Sequence, residues 1–145
     1  MTRVDFYLLQ NSESGGKENL VCKLADKAHR LGHQVYILAS NKKEAGQLDD
    51  LLWVFNPGSF APHSLVGEPD KVRLTVLPPI LIGHQEPPDT RYNVLISLWQ
   101  EVPGFFSRFE RLVELVGHEE EEKQRARVKF RFYRDRGYLL ETHNM

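Results

Sequence analysis

VDFYLLQNSESGGKENLVCKLADKAHRLGHQVYILA, residues 4–39, reads as strand, helix, strand, and that order decides the fold class. Val4–Leu9 is a short apolar and aromatic run closed by Gln10, Asn11 and Ser12, as a buried strand would be. Ser14, Gly15 and Gly16 mark a turn. Leu20, Val21, Leu24, Ala25, Ala28 and Leu31 recur at helical spacing and predict one apolar stripe, with Gly32 as its stop. Gln34–Ala39 is a second apolar run of strand length. Asn41 is placed to cap a further helix from Lys42 to about Phe55, with Ala45, Leu48, Leu51 and Leu52 inward. Strand and helix alternating twice predict a parallel sheet with helices on its faces.

Downstream the pattern is less regular. Leu51–Glu68, LLWVFNPGSFAPHSLVGE, reads as a helix end running into an irregular segment. Asn56-Pro57-Gly58 is a turn signal, and Pro62 and Gly67 oppose a regular element. Its Trp53, Phe55 and Phe60 either fold inward or dock a partner, since aromatics anchor interfaces. Val72–Leu77 alternates as a half-exposed strand near an edge, and Ile80–Ile82 is a further short strand. Asn93–Leu98 is the clearest central strand. Phe105, Phe106, Phe109, Leu112, Val113 and Val116 fall on a helical stripe that Gly117 would end. His118 to about Arg136 is a last long helix stopped by Gly137, and Tyr138–Leu140 is a short strand or an extended tail. The expected architecture is one three-layer α/β domain over residues 1–145, a mostly parallel sheet with helices on both faces.

Composition narrows the function. A formal net charge of −1 excludes a general polyanion binder, so any site for nucleic acid or an acidic partner is a local patch. A single cysteine, Cys22, excludes an internal disulfide framework and suits a reducing cytoplasm. No apolar run approaches the roughly 20 residues of a membrane span. The N-terminal apolar core is too short for a secretory signal.

Catalytic patterns are broken or missing. Ser14-Gly15-Gly16-Lys17 follows the first strand, where a phosphate would sit, but a P-loop needs Gly where Asn11 stands and Ser or Thr where Glu18 stands. Gly-x-Gly-x-x-Gly is absent as well. His118 and Glu122 are four apart on a helix, but no second pair completes a metal site. His63 has no oriented nucleophile beside it, and Cys22 falls beside an apolar stripe as a small core residue. No catalytic residues, metal or cofactor are expected; the chain reads as a binding protein.

The last helix carries the binding signal. Glu119–Glu122 open it and Lys123, Arg125, Arg127, Lys129, Arg131, Arg134 and Arg136 follow, an order that complements the helix dipole. Lys123, Arg127, Arg131 and Arg134 step by four, four and three along one face, with Phe130 beside them and Lys129 pointing elsewhere. Base plus aromatic on one face suits an acidic peptide with an apolar anchor, or single-stranded nucleic acid.

Several of these stretches resemble the chi subunit family of bacterial DNA polymerase III. The similarity rests on W-x6-F-x-P-H-x-L at Trp53, Phe60, Pro62, His63 and Leu65. VDFYLL at 4–9, NVLISL at 93–98 and the Arg-Gly-aromatic end at Arg136, Gly137 and Tyr138 extend it over the whole chain. The resemblance implies a nucleotide-binding-like fold without a functional phosphate loop. It also implies a cytoplasmic, non-catalytic accessory subunit of the replicative clamp-loader complex. Its implied partners are the psi subunit, bound by Trp53, Phe60, Pro62, His63 and Leu65, and the acidic C-terminal tail of single-stranded DNA-binding protein. That tail ends in an apolar residue with a free carboxylate, and Lys123, Arg127, Phe130, Arg131 and Thr142 are its implied contacts. Nucleic acid is then reached only indirectly, and no membrane is involved. Pairing with a helicase through the psi surface is a further role of that family. Phe130 stands where the family has tyrosine, which removes a hydroxyl contact and keeps the stacking surface. The chief alternative is direct single-stranded nucleic-acid binding by the last helix; a degenerate nucleotide-binding enzyme is the other.

Overall fold

A computed structural model describes residues 2–9, 16–55, 63–65, 78–87 and 91–144, with the side chains of 53–55, 63 and 64 excepted. The elements run β1 (Arg3–Leu8), α1 (Gly16–Arg30), β2 (Val35–Leu38), α2 (Lys42–Phe55) and β3 (His63–Leu65). They continue with β4 (Ile80–Gly83), β5 (Val94–Ser97), β6 (Arg111–Val116), α3 (Glu120–Asp135) and β7 (Leu139–Asn144). Among the described residues seven strands form one sheet in the order β3-β4-β2-β5-β6-β1-β7. Every pairing in it is parallel.

The strands read as unbroken apolar runs because both faces of the sheet are covered. Val35 and Ile37 join Leu20, Val21, Ala25, Ala45 and Leu48 in a core under α1 and α2. Tyr36 and Leu38 point the other way, into a core with Leu112, Phe105, Phe106, Phe109 and Tyr133 under α3. Three layers result, as the alternation of strand and helix predicts. Asn41 caps α2 as expected: its Oδ1 accepts the Glu44 N–H at 2.8 Å, and Glu44 Oε1 accepts the Ser40 N–H at 2.7 Å. Gly32 and Gly137 follow α1 and α3 with φ of 88° and 80°, a backbone that favours glycine at a helix stop.

Three expectations change. The stripe from Phe105 to Val116 is not a helix: Phe106–Arg108 makes a single 3-10 turn, Phe109 is extended, and Arg111–Val116 is β6. Consecutive apolar residues in a doubly covered strand mimic helical spacing; Leu112 and Val116 pack under α3 while Val113 and Leu115 pack under α1. Leu31, placed on the α1 stripe, lies beyond the helix end and is exposed. The segment after α2 contains a regular element after all, the three-residue strand β3 at an edge of the described sheet. Of the two alternatives for Tyr138–Leu140 the strand holds: it begins at Leu139 and runs six residues to Asn144 as β7, at the opposite edge of the described sheet. The expected strand Val72–Leu77 and the Ser14-Gly15 turn lie outside the described residues.

Cys22 is a buried residue of α1, and burial pushes its thiol pKa up to about 12. A raised folded value favours the protonated thiol. That contribution to stability is whole below the ordinary value of 9.0 and is lost as pH rises through about 12. At pH 8 a disulfide reagent should therefore modify the native chain at least about a hundredfold more slowly than the chain in urea. Equal rates would place Cys22 outside the core.

Candidate functional site

Chain direction builds the site. After β1 the chain turns to α1 on one face of the sheet; after β6, the neighbour of β1, it turns to α3 on the other. Neighbouring strands whose connections part in this way leave a crevice at their carboxyl ends, where open α/β sheets hold ligands. The crevice is present as a cavity of about 340 Å³. Its floor is Phe6, Leu8 and Leu9 from the end of β1 and Val116 and Gly117 from the end of β6. Lys123, Ala126, Arg127 and Phe130 of α3 form one wall, and Thr142 of β7 closes the other side.

Four of the five residues expected to hold the acidic tail thus meet at one cavity: Lys123, Arg127, Phe130 and Thr142. Phe130 packs on Phe6 with ring centroids 5.6 Å apart, and Thr142 lies beside Phe6 in the β1–β7 register. Lys123 and Arg127 are exposed at the rim. Arg127 Nη1 is 3.3 Å from Glu120 Oε1, while Lys123 has no ion-pair partner among the described residues. Arg131 does not line the cavity. At about 100° per residue it lies about 80° around the helix from Lys123, on the outer face. Its Nε donates to the Arg127 carbonyl at 3.4 Å.

Lys129 departs from the expected solvated helix face, for it is buried against the sheet. Its Nζ donates to Glu114 Oε1 at 2.9 Å and to the Trp99 carbonyl at 2.6 Å, and Tyr133 Oη donates to Glu114 Oε2 at 2.7 Å. Burial pushes the Glu114 carboxyl up from its ordinary range, and Lys129 and Tyr133 pull it back. This network fixes the rotation of α3, and with it the direction of Arg127 and Phe130. Glu122 does similar work at the helix start. Its carboxylate accepts the Gly117 N–H and pairs with Lys17 of α1 at 3.5 Å, so it is engaged in structure rather than in a metal site with His118.

The surface expected to hold psi is described only in part. Trp53 belongs to the last turn of α2 and His63 and Leu65 to β3. Leu65 is half-buried against the core under α1 and α2. Phe60 and Pro62 lie outside the described residues, as do the side chains of Trp53 and His63. Among the described residues one cluster has metal-ligand spacing, Asp5, Glu141 and His143. Cationic side chains already occupy it: Arg111 donates to Asp5 at 2.7 Å and Arg3 pairs with Glu141 at 2.6 Å.

Sequence reasoning missed Phe6, Leu8, Leu9, Val116, Gly117 and Ala126 as cavity residues, because ordinary core residues line it. It also missed Glu114, for which a signal existed: a lone acid inside the buried run LVELV requires a buried cation.

Comparison with known proteins bears on the same residues. The family model described as DNA polymerase III chi subunit, HolC, matches residues 1–141. A DNA polymerase III subunit chi of Pseudomonas aeruginosa is 41% identical over 145 residues, covering 100% of this chain and 98% of the relative. One from Escherichia coli is 34% identical over 146 residues, covering 98% and 97%. Among solved structures the crystal structure of T4 UvsW is similar with a TM-score of 0.71 at 8% identity, over 99% of this chain and 42% of that one. At that identity the likeness concerns the fold alone.

Proposed function

The chain belongs to the DNA polymerase III chi subunit family, and from that premise we propose that it is a non-catalytic accessory subunit of the replicative clamp-loader complex, bridging the psi subunit to the C-terminal tail of single-stranded DNA-binding protein. The observation that supports the tail reading is the convergence of Lys123, Arg127, Phe130 and Thr142 on one cavity. The terminal apolar side chain of the tail packs on the Phe6–Phe130 ring pair. The Arg127 guanidinium grips the terminal carboxylate through two parallel hydrogen bonds. Lys123 and Arg131 attract the acidic residues that precede it, and Thr142 closes the far side. These charges face solvent, where the Debye length is about 8 Å at physiological salt, so binding weakens as salt rises.

Strand order supports the bridging role. Among the described residues β3, which carries His63 and Leu65, and β7, which carries Thr142, are the two edge strands. Six strand spacings of about 4.8 Å separate them by about 30 Å, so two partners can be held at once. The proposal puts the chain in the cytoplasm, with nucleic acid contacted through its partner. Among the described residues no helix is long and apolar enough to cross a membrane.

The test is a three-component mixture resolved by size-exclusion chromatography. A ternary complex should form, and removing the tail from single-stranded DNA-binding protein should release that protein while psi stays bound. Trp53→Ala and Phe60→Ala should each weaken psi binding by about 2 kcal/mol, with little change in melting temperature and none in tail binding. Variants that unfold readily, and whose folded fraction binds psi normally, would instead assign both aromatics to the core.

A further inference from the structure

We propose that a second cavity, on the opposite flank of α3 from the first, takes an acidic side chain from upstream in the same tail, with Arg125 as its counter-ion. This rests on the tail reading above. The cavity has a volume of about 230 Å³ and lies over the ends of β5 and β6; it shares Phe6, Val116 and Ala126 with the first. Its charged lining is Lys17, Glu114, Glu122, Arg125 and Lys129.

Four of these charges cancel internally. Lys129 pairs with Glu114 at 2.9 Å and Lys17 with Glu122 at 3.5 Å. Arg125 is left over: it is half-buried and forms no ion pair among the described residues. A partly desolvated guanidinium with five donors and no acceptor favours an anion. With the other four charges paired, Arg125 supplies one net positive charge, which matches a single carboxylate better than a phosphate dianion.

The route between the cavities runs over the outer face of α3. Around the helix axis Arg127, Arg131 and Arg125 fall at about 40°, 80° and 200° from Lys123, so Arg131 lies on the outer face between the two flanks. Crossing a helix of about 10 Å diameter takes an extended chain on the order of five residues at about 3.3 Å each. The acidic residue that meets Arg125 is therefore several positions before the terminus.

The experiment uses fluorescence anisotropy with two labelled peptides, the full acidic tail and a shortened one holding only its last four residues. Arg125→Ala should weaken the full tail about three- to tenfold and leave the short peptide unchanged, with Arg125→Lys partly restoring the former. Circular dichroism melting confirms that the variants fold. An equal effect of Arg125→Ala on both peptides, or none on either, overturns the second subsite. Arg127→Ala separates this from the underlying reading, since it should weaken both peptides; if it weakens neither, the tail site itself fails.

Discussion

Lys129→Ala should destabilise the chain by about 3–5 kcal/mol, a loss on the order of 10 °C in melting temperature. The change strips Glu114, 1% exposed, of its cation and leaves the Trp99 carbonyl without its donor. Replacing both members of a buried ion pair is far milder than removing one. Glu114→Gln with Lys129→Met keeps an acceptor for the Tyr133 hydroxyl and should return to within about 1 kcal/mol of the parent. A pH dependence follows. With Lys129 gone, burial raises the Glu114 carboxyl without the cation's opposing pull, so the folded value moves further above the ordinary 4.5. A raised folded value stabilises below the unfolded value and is lost as pH rises, so the gap between Lys129→Ala and the parent should narrow as pH falls toward 5. Thermal melts from pH 5 to 8 measure this; a single variant that melts with the parent at every pH would remove Lys129 from the core.

Arg127→Ala should weaken tail binding about 30- to 100-fold, because the charged, two-pronged contact to a terminal carboxylate has no substitute in the cavity. Arg127→Lys should recover only part, since lysine supplies charge without the planar fork. The exposed contact to Glu120 at 3.3 Å competes for the same guanidinium, so Glu120→Gln should tighten the tail about twofold. Melting temperature should hardly move in any of the three, as Arg127 and Glu120 are both exposed. Calorimetric titration gives the affinities. Undiminished binding by Arg127→Ala would move the carboxylate contact elsewhere.

Local rules made most of the fold legible in sequence. Strand length, the Asn41 cap, and Gly32 and Gly137 as stops each act within a few residues, and each is found where the residues require it. The error at Phe105–Val116 was one of period: a strand covered on both faces has no alternation to distinguish it from a helix, and only the sheet decides. The wall of the candidate site was legible where helical spacing sets it, at Lys123, Arg127 and Phe130. Its floor was not, because Phe6 meets Val116 and Thr142 only through β1 pairing with β6 and β7, more than 100 residues away. Lys129 shows the limit of charge patterning: on the helix wheel it is one base among several, and only Glu114 across the interface turns it inward.

Fluorescence anisotropy of the intact chain with two labelled ligands, the acidic C-terminal tail peptide and a single-stranded oligonucleotide, decides what α3 holds. The peptide should bind, salt should weaken it, Arg127→Ala should remove most of the affinity, and the oligonucleotide alone should not bind tightly. Tight oligonucleotide binding that falls with each basic residue removed from α3, together with no binding of the peptide, would contradict it and make the last helix a direct nucleic-acid surface.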